Sequence, residues 1–386
     1  MRGALLDDAL PRAAEIVADV RARGDAALLE WSERLDGGRP AAIRVPHDAI
    51  TAATLDAASA EALRRLAAAV YEFNVLQRPE DTAVEAFPGI KAERRFVPLD
   101  SVGIYVPGGR APLVSSLVMA AVPARVAGVR RIAVASPNPP EGLLAAAREL
   151  EVDEVYAVGG AQAIAALAYG TESVRRVDKI VGPGNAWVTA AKLLVSTQVA
   201  IDLPAGPSEV LVVADDSADP GLCAADLLAQ AEHGADSEVI LVTTSERVAD
   251  GVRAIAGERA VVELVPSLAE ALARANDYAP EHLQLLVEDP EAALAAVRNA
   301  GTVFLGAAAS AVVGDYAAGA THVLPTGGLA RGAGGLGLEA FLKPVQVVRA
   351  TEAGLAGVRD LVSALAGLEG LPLHAAAIEA RFVPVS

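Results

Sequence analysis

The chain has 386 residues, 53% of them hydrophobic and 21% charged, a length that accommodates two or three domains and a composition ordinary for a globular protein. Its 32 basic and 49 acidic residues leave a net charge of −17, which disfavours recognition of a phosphate backbone, so nucleic acid is not an expected partner. No apolar run reaches the roughly 18 residues a membrane helix needs. The N-terminus, with Asp7 and Asp8 close behind Met1 and Arg2, lacks the apolar stretch of a secretory leader; a cytoplasmic location with no membrane partner is expected. The single cysteine, Cys223, excludes an intrachain disulfide and a thiolate cage, so any bound metal would use nitrogen and oxygen ligands.

Residues 8–35 and 55–77 space their apolar positions three and four apart, as amphipathic helices do, and form a helical lead-in. From Ser101 the pattern changes to an apolar run at Val102–Val106, a turn at Pro107-Gly108-Gly109, a helical stretch at Leu113–Ala121 and a second run at Ile132–Ala135, which together read as a βαβ unit. The plan recurs: Val155–Val158, Gly159-Gly160 and the helix Ala161–Ala168, then Lys179–Val181, Gly182-Pro183-Gly184 and the helix Ala186–Val195. Strands alternating with helices imply a parallel sheet covered on both faces. A second such set begins at Glu209, with strands at Val210–Val213, Val239–Val242, Val261–Val265, Leu283–Val287 and Thr302–Leu305 and a helix near Gly221–His233. Beyond Gly334-Gly335 the chain turns largely helical, and residues 352–381 make a two-helix tail too small to bury a core alone.

Four of the five histidines, His233, His282, His322 and His374, stand in polar tracts of the C-terminal half, while His47 has no such setting. Neutral imidazole is a common metal ligand and titrates nearest neutrality, so a site is the natural reading. Gln230 and His233, three apart at a helix end, share a face and can reach one ion; the same spacing equally suits a helix C-terminus with Gly234 as its cap. Glu281 and His282, on a turn at the mouth of a strand, could divide two proton transfers, or could be a surface carboxylate beside a hydrogen-bonded turn residue. Asp315 and His322 lie in a Gly-rich loop after the strand at Thr302, and Glu369 and His374 lie on the tail. Spacing alone does not join these into one site. Nor does the chain carry a complete Gly-x-Gly-x-x-Gly followed by an acidic residue, so a dinucleotide is weakly indicated by the residues themselves.

Longer strings narrow the reading: Gly103-Ile104-Tyr105-Val106-Pro107-Gly108-Gly109, Val158-Gly159-Gly160-Ala161-Gln162-Ala163-Ile164-Ala165, Asp178-Lys179-Ile180-Val181-Gly182-Pro183-Gly184-Asn185, Ala205-Gly206-Pro207-Ser208-Glu209-Val210, Gln230-Ala231-Glu232-His233-Gly234, Tyr278-Ala279-Pro280-Glu281-His282-Leu283 and His322-Val323-Leu324-Pro325-Thr326. In these the chain resembles the histidinol dehydrogenase family over nearly its whole length. The resemblance implies a zinc-dependent, NAD-linked four-electron oxidation of L-histidinol through L-histidinaldehyde to L-histidine, the last steps of histidine biosynthesis. It makes Gln230, His233, Asp315 and His374 the ligands of one Zn2+ per subunit, and Glu281 and His282 the catalytic pair. It assigns Tyr105, Gln162 and Asn185 to NAD, and Ser208, His322 and Glu369, with His282 and the metal ligands, to the substrate. It also implies a homodimer with shared active sites, His374 coming from the partner's tail.

The expected fold is α/β, with two Rossmann-like parallel-sheet domains, a helical lead-in and a small helical C-terminal tail domain. Residues 1–100 would be the lead-in packing with the second α/β domain, 101–208 the first α/β domain, 209–335 the second, carrying the catalytic pair, and 336–386 a dimer-swapped tail. The chain departs from the family's pattern at Ala308-Ala309-Ser310-Ala311, where many relatives carry Trp-Ser-Pro-Glu, at Gly332–Gly335, and in a shorter N-terminus. The apolar Ala311 leaves open a related zinc- and NAD-using dehydrogenase of another polyol or a sulfonated diol. A non-catalytic binding module is the third reading, against which Glu281 and His282 both stand.

Overall fold

A computed structural model of the chain describes residues 4–108, 113–152, 154–204, 206–234 and 236–382. Its strands are β1 (Thr82–Phe87), β2 (Ile90–Pro98), β3 (Ser101–Tyr105), β4 (Arg131–Ala135), β5 (Glu154–Tyr156), β6 (Lys179–Val181), β7 (Ala200–Ile201), β8 (Glu209–Ala214), β9 (Glu238–Thr243), β10 (Val261–Leu264), β11 (His282–Leu286), β12 (Thr302–Leu305) and β13 (Leu342–Ala350). Two five-stranded sheets, β5-β4-β3-β6-β7 and β10-β9-β8-β11-β12, are parallel throughout, and a third, β1-β2-β13, is antiparallel. The α/β class and the two parallel sheets are as the sequence implies. In each parallel sheet the first strand of its set is central, with the next two on one side and the last two on the other. This doubly wound order puts the switch points between β3 and β6 and between β8 and β11.

The described residues up to Gln77 and from Leu99 to Phe341 form one compact unit; Arg78–Pro98 with the described residues from Leu342 form a second. In the first unit, β3 and β8 are buried along their whole length, as strands covered on both faces must be. The turn expected at Pro107-Gly108-Gly109 lies partly outside the described residues, as does Ala205. Gly182 (φ 114) follows β6 so closely under Tyr105 that a Cβ there would run into the Tyr105 carbonyl.

Three expectations need correcting. The first two lead-in helices pack on the first parallel sheet rather than the second, Ala13, Ile16 and Leu28 sharing a core with Ile164, Leu167, Val188 and Ala191, while Ala69 and Phe73 of the helix Ala57–Val75 approach Gly319 in the second set. The cause is the small-residue surface of the helices Gly160–Tyr169 and Ala186–Val195, which admits the apolar stripe of the helix Ala4–Arg23. Next, residues 82–98 are not helical but form β1 and β2, whose alternating charges obscure an exposed hairpin. Finally, the tail is not purely helical. β13 pairs antiparallel with β2 from Leu342↔Pro98 to Ala350↔Ile90, so the second unit has a sheet assembled from two distant stretches of sequence.

Within that second unit, Thr351 caps the helix Glu352–Leu368 by accepting the Gly354 N–H (3.0 Å), and Pro372 opens the helix Pro372–Glu379. An Arg359–Glu379 ion pair joins the two helices. Leu365, Leu368 and Leu373 remain 50%, 82% and 80% exposed.

Candidate active site

The second parallel sheet carries a proton-transfer constellation at the amino ends of its strands. Ala279, held in the left-handed region (φ 53), turns the chain out of the helix Leu268–Tyr278, and the carbonyls of Pro280 and Glu281 accept N–H groups from Gly301 (2.9 Å) and Thr302 (3.0 Å). That pins Glu281 immediately before β11 and His282 as its first residue, between β8 and β12 at the switch point. Both side chains are buried, and the His282 ring stacks on Phe304 with centroids 5.9 Å apart.

Glu209, at the head of β8, joins the pair. Its carbonyl lies 3.0 Å from His282 Nδ1, and its backbone N–H donates to Glu281 Oε2 (2.9 Å). A carbonyl accepts only, so Nδ1 carries the ring proton and Nε2 is left as a bare acceptor. Glu281 Oε2 is 3.6 Å from the same Nδ1. Glu209 Oε1 accepts the Gly327 N–H (2.9 Å), which ties the loop after His322 to the site. Burial, with Glu209 and Asp315 close by, pushes the Glu281 carboxyl well above the ordinary range; the lone backbone hydrogen bond only partly opposes it. Burial also depresses His282, keeping it neutral, against the opposing field of Asp315.

Asp315 and His322 approach the same place. His322 Nδ1 lies 3.4 Å from the Asp315 carbonyl and 4.0 Å from its carboxylate, while Nε2 is 3.1 Å from Ser116 Oγ on the helix Val114–Ala127. Burial lowers His322 too. His233 acts electrostatically on both His282 and His322, as Asp315 does, so the four lie within electrostatic reach of one another. Gln230 ends the helix Pro220–Ala231 with its Nε2 buried and unpartnered; His233 lies beyond that helix, its Nδ1 3.3 Å from the Gln230 carbonyl. Ser208 precedes β8, its carbonyl bound by the Glu238 N–H (3.0 Å). Among the described residues no three His, Cys, Asp or Glu side chains gather closely enough to hold a metal. Glu369 and His374 belong to the second unit, one closing the helix Glu352–Leu368 and the other opening Pro372–Glu379, and both are exposed. Cys223 is buried with its thiol pushed up to about 12, chiefly by desolvation, which disfavours the reactive thiolate.

The first parallel sheet carries a cavity of about 660 Å³ at the carboxyl ends of its strands, a size suited to a small-molecule ligand. Tyr105 ends β3, Gly160 follows β5 and Asn185 follows β6, so the lining spans the switch point. Tyr105 Oη accepts the Gly160 N–H (3.0 Å), leaving the phenol proton to donate. Asn185 caps its helix through Oδ1, accepting from Trp187 (3.1 Å) and Val188 (3.2 Å), which leaves Nδ2 available. Gln162 is fully buried, and its Nε2 donates to Asp36 (3.1 Å), so it sits one layer back from the cavity that Asp36 lines. Glu209, Ser116 and Asp36 were not foreseen as site residues. Glu209 left a weak signal, as a charge opening an apolar strand, but Arg131, Glu154, Lys179 and Glu238 open theirs in the same way.

A ligand-sized cavity at one switch point and a buried carboxyl beside a neutral imidazole at the other are the parts of an α/β enzyme with a proton to move. A family model described as histidinol dehydrogenase matches residues 3–382. The chain is 44% identical over 390 residues to histidinol dehydrogenase of Vibrio parahaemolyticus, covering 95% of this chain and 90% of the relative. It is 45% identical over 404 residues to that of Thermobifida fusca, covering 97% and 91%. The solved structure of histidinol dehydrogenase from Elizabethkingia anophelis matches with a TM-score of 0.90 at 36% identity, over 96% of this chain and 91% of that one. A succinate-semialdehyde dehydrogenase from Burkholderia pseudomallei shares the fold alone, at a TM-score of 0.52 and 14% identity over 91% of this chain and 90% of that one. The protein is thus an oxidoreductase. It belongs to the histidinol dehydrogenase family.

Proposed function

We propose that this enzyme oxidises L-histidinol through L-histidinaldehyde to L-histidine, with NAD as electron acceptor and a zinc ion holding the substrate. Bound NAD would supply the hydride acceptor for both oxidations, and bound zinc would grip the substrate's amine and imidazole nitrogens. The observation that carries the reading is the bare Nε2 of His282, fixed by the Nδ1 contact to the Glu209 carbonyl (3.0 Å).

His282 Nε2 takes the alcohol proton in the first oxidation, since burial keeps the ring neutral. In the second, Glu281 accepts a proton from the water that adds to the aldehyde, giving a hydrate whose C–H bond is again open to oxidation. A carboxyl lifted by burial is a stronger base once ionised than an ordinary one, which suits that step. His322 is held neutral between Ser116 and Asp315 and orients the substrate together with Ser208. Tyr105 and Asn185 turn donors toward the cavity for the cofactor's polar groups, and Gln162 supports them through Asp36.

Gln230, His233, Asp315 and His374 would hold the zinc. The buried, unpartnered amide of Gln230 fits such a role, since its nitrogen and oxygen positions are interchangeable by a flip. His233 and Asp315 both act electrostatically on His322, but among the described residues no three His, Cys, Asp or Glu side chains are grouped so as to hold a metal. The set therefore calls for His374, which its own unit leaves exposed. The bare leucines of the two tail helices support a homodimer that buries them and delivers Glu369 and His374 to the partner's site.

Stoichiometry tests the reaction. Two NADH formed per L-histidinol consumed, abolished by a chelator and restored by zinc, is the expected result; one NADH, or turnover indifferent to chelation, would refute it.

A further inference from the structure

Asp36 holds a position that the sequence did not mark. It follows the lead-in helix Asp25–Leu35, yet its Oδ2 accepts the Gly159 N–H (3.0 Å) and Gln162 Nε2 (3.1 Å) at the opening of the helix Gly160–Tyr169, and it lines the cavity of the first sheet. In a dinucleotide fold that helix opening ordinarily receives a phosphate, drawn by free N–H groups and the helix dipole. Here a carboxylate already occupies it. Its partners are the Gly159 and Gln162 N–H groups and the Ser32 side chain, all neutral, so dipoles alone offset its charge and burial pushes the carboxyl above the ordinary range; of the roughly four acceptor sites of a carboxylate one is left toward a ligand. Among the described lining residues the sole cation is Arg12, whose guanidinium lies over the Trp187 ring at 5.8 Å from its centroid. The cavity thus offers a ligand one cationic group for a diphosphate and one carboxylate for a group with hydroxyls to donate.

We propose that Asp36 sets the cofactor preference of this enzyme: its carboxylate receives the unsubstituted hydroxyls of the adenosine ribose and repels a ribose that carries a 2′-phosphate. The inference rests on the cofactor reading given above. A dinucleotide fold usually places the acid that reads the ribose at the end of its second strand; here the acid comes from outside the sheet, across the lead-in. Like charges a few ångströms apart in a partly desolvated cavity weaken binding severalfold to a hundredfold, so one carboxylate is enough to decide between the two dinucleotides.

The test is direct binding of NAD and of NADP, each followed by quenching of Trp187 emission and by calorimetry, to the full-length protein and to Asp36→Asn. The unaltered protein should prefer NAD, and Asp36→Asn should shrink that preference by about tenfold or more, mainly by tightening NADP. An unchanged ratio in a variant that still binds NAD would overturn the inference and leave the cofactor reading intact. Equal weakening of both dinucleotides would make Asp36 only a clamp on the helix, which also overturns it. Asp36→Ser, which removes the charge and keeps a small polar side chain, is the second variant if the first does not fold. Failure of the unaltered protein to bind NAD at all would sink the cofactor reading and this inference together.

Discussion

Ser116 Oγ lies 3.1 Å from His322 Nε2 across 206 positions of sequence, joining a helix of the first parallel sheet to the loop that follows β12 of the second. Since His322 Nδ1 faces the Asp315 carbonyl, Nε2 accepts the serine proton, and the imidazole is oriented by groups from both sheets. Ser116→Ala removes that donor and leaves the ring free to tilt. The loss of one hydrogen bond of about 1 kcal/mol corresponds to a severalfold rise in KM for L-histidinol with a smaller change in kcat. Steady-state kinetics with saturating NAD would read the split; an unchanged KM would remove Ser116 from substrate positioning.

Glu281 makes stability depend on pH. Its folded carboxyl titrates above its unfolded value, so its contribution is fully present below the unfolded value and is lost as pH rises through the folded one. Glu281→Gln removes the ionisation. The variant should therefore gain in urea unfolding on the unaltered protein as pH rises beyond the ordinary carboxylate range. A pH-independent gap would show that burial does not govern this carboxyl.

In the first parallel-sheet set, Lys192 and Asp202 form a buried ion pair that also fastens the turn after β6: Lys192 Nζ donates to the Gly182 carbonyl (2.9 Å) and Asp202 accepts the Gly182 N–H (2.7 Å). Lys192→Met leaves Asp202 buried with only the weaker field of Lys179 to offset its charge. The expected cost is about 3–5 kcal/mol, and Lys192→Met/Asp202→Asn should recover part of it. Chemical denaturation of the three proteins checks both statements.

His374→Ala should lower zinc content and tighten the dependence of activity on added metal, although residue 374 lies far from Gln230 and His233 in sequence. Metal analysis after dialysis reads it directly. Mixing inactive His374→Ala with inactive His282→Asn protein should restore activity in heterodimers if the tail serves the partner's site.

How much of this was legible in the chain follows from what each feature depends on. The parallel strands declared themselves because burial on both faces demands unbroken runs such as Val210–Val213, and Glu281 and His282 stood out as polar residues at the head of one. β13 and its partner β2 did not, because an exposed sheet tolerates Lys343, Gln346 and Arg349 among its apolar residues, and pairing across some 250 positions leaves no local trace. The docking of the lead-in was misread for a related reason. An amphipathic stripe states that a helix is buried, not against what, and the deciding surface is the alanine-rich pair of helices on the first sheet. Asp36 acquires its meaning only once Gly159 and Gln162 are brought beside it.

The central claim is that His282 and Glu281 divide the two oxidations between them. Its most direct test measures each half-reaction separately, supplying L-histidinol or L-histidinaldehyde to Glu281→Gln and His282→Asn proteins of verified zinc content. The account predicts that Glu281→Gln keeps alcohol oxidation far better than aldehyde oxidation, with the latter down about 10²–10⁴-fold, and that His282→Asn loses alcohol oxidation outright. Equal losses in both half-reactions for both variants would contradict it.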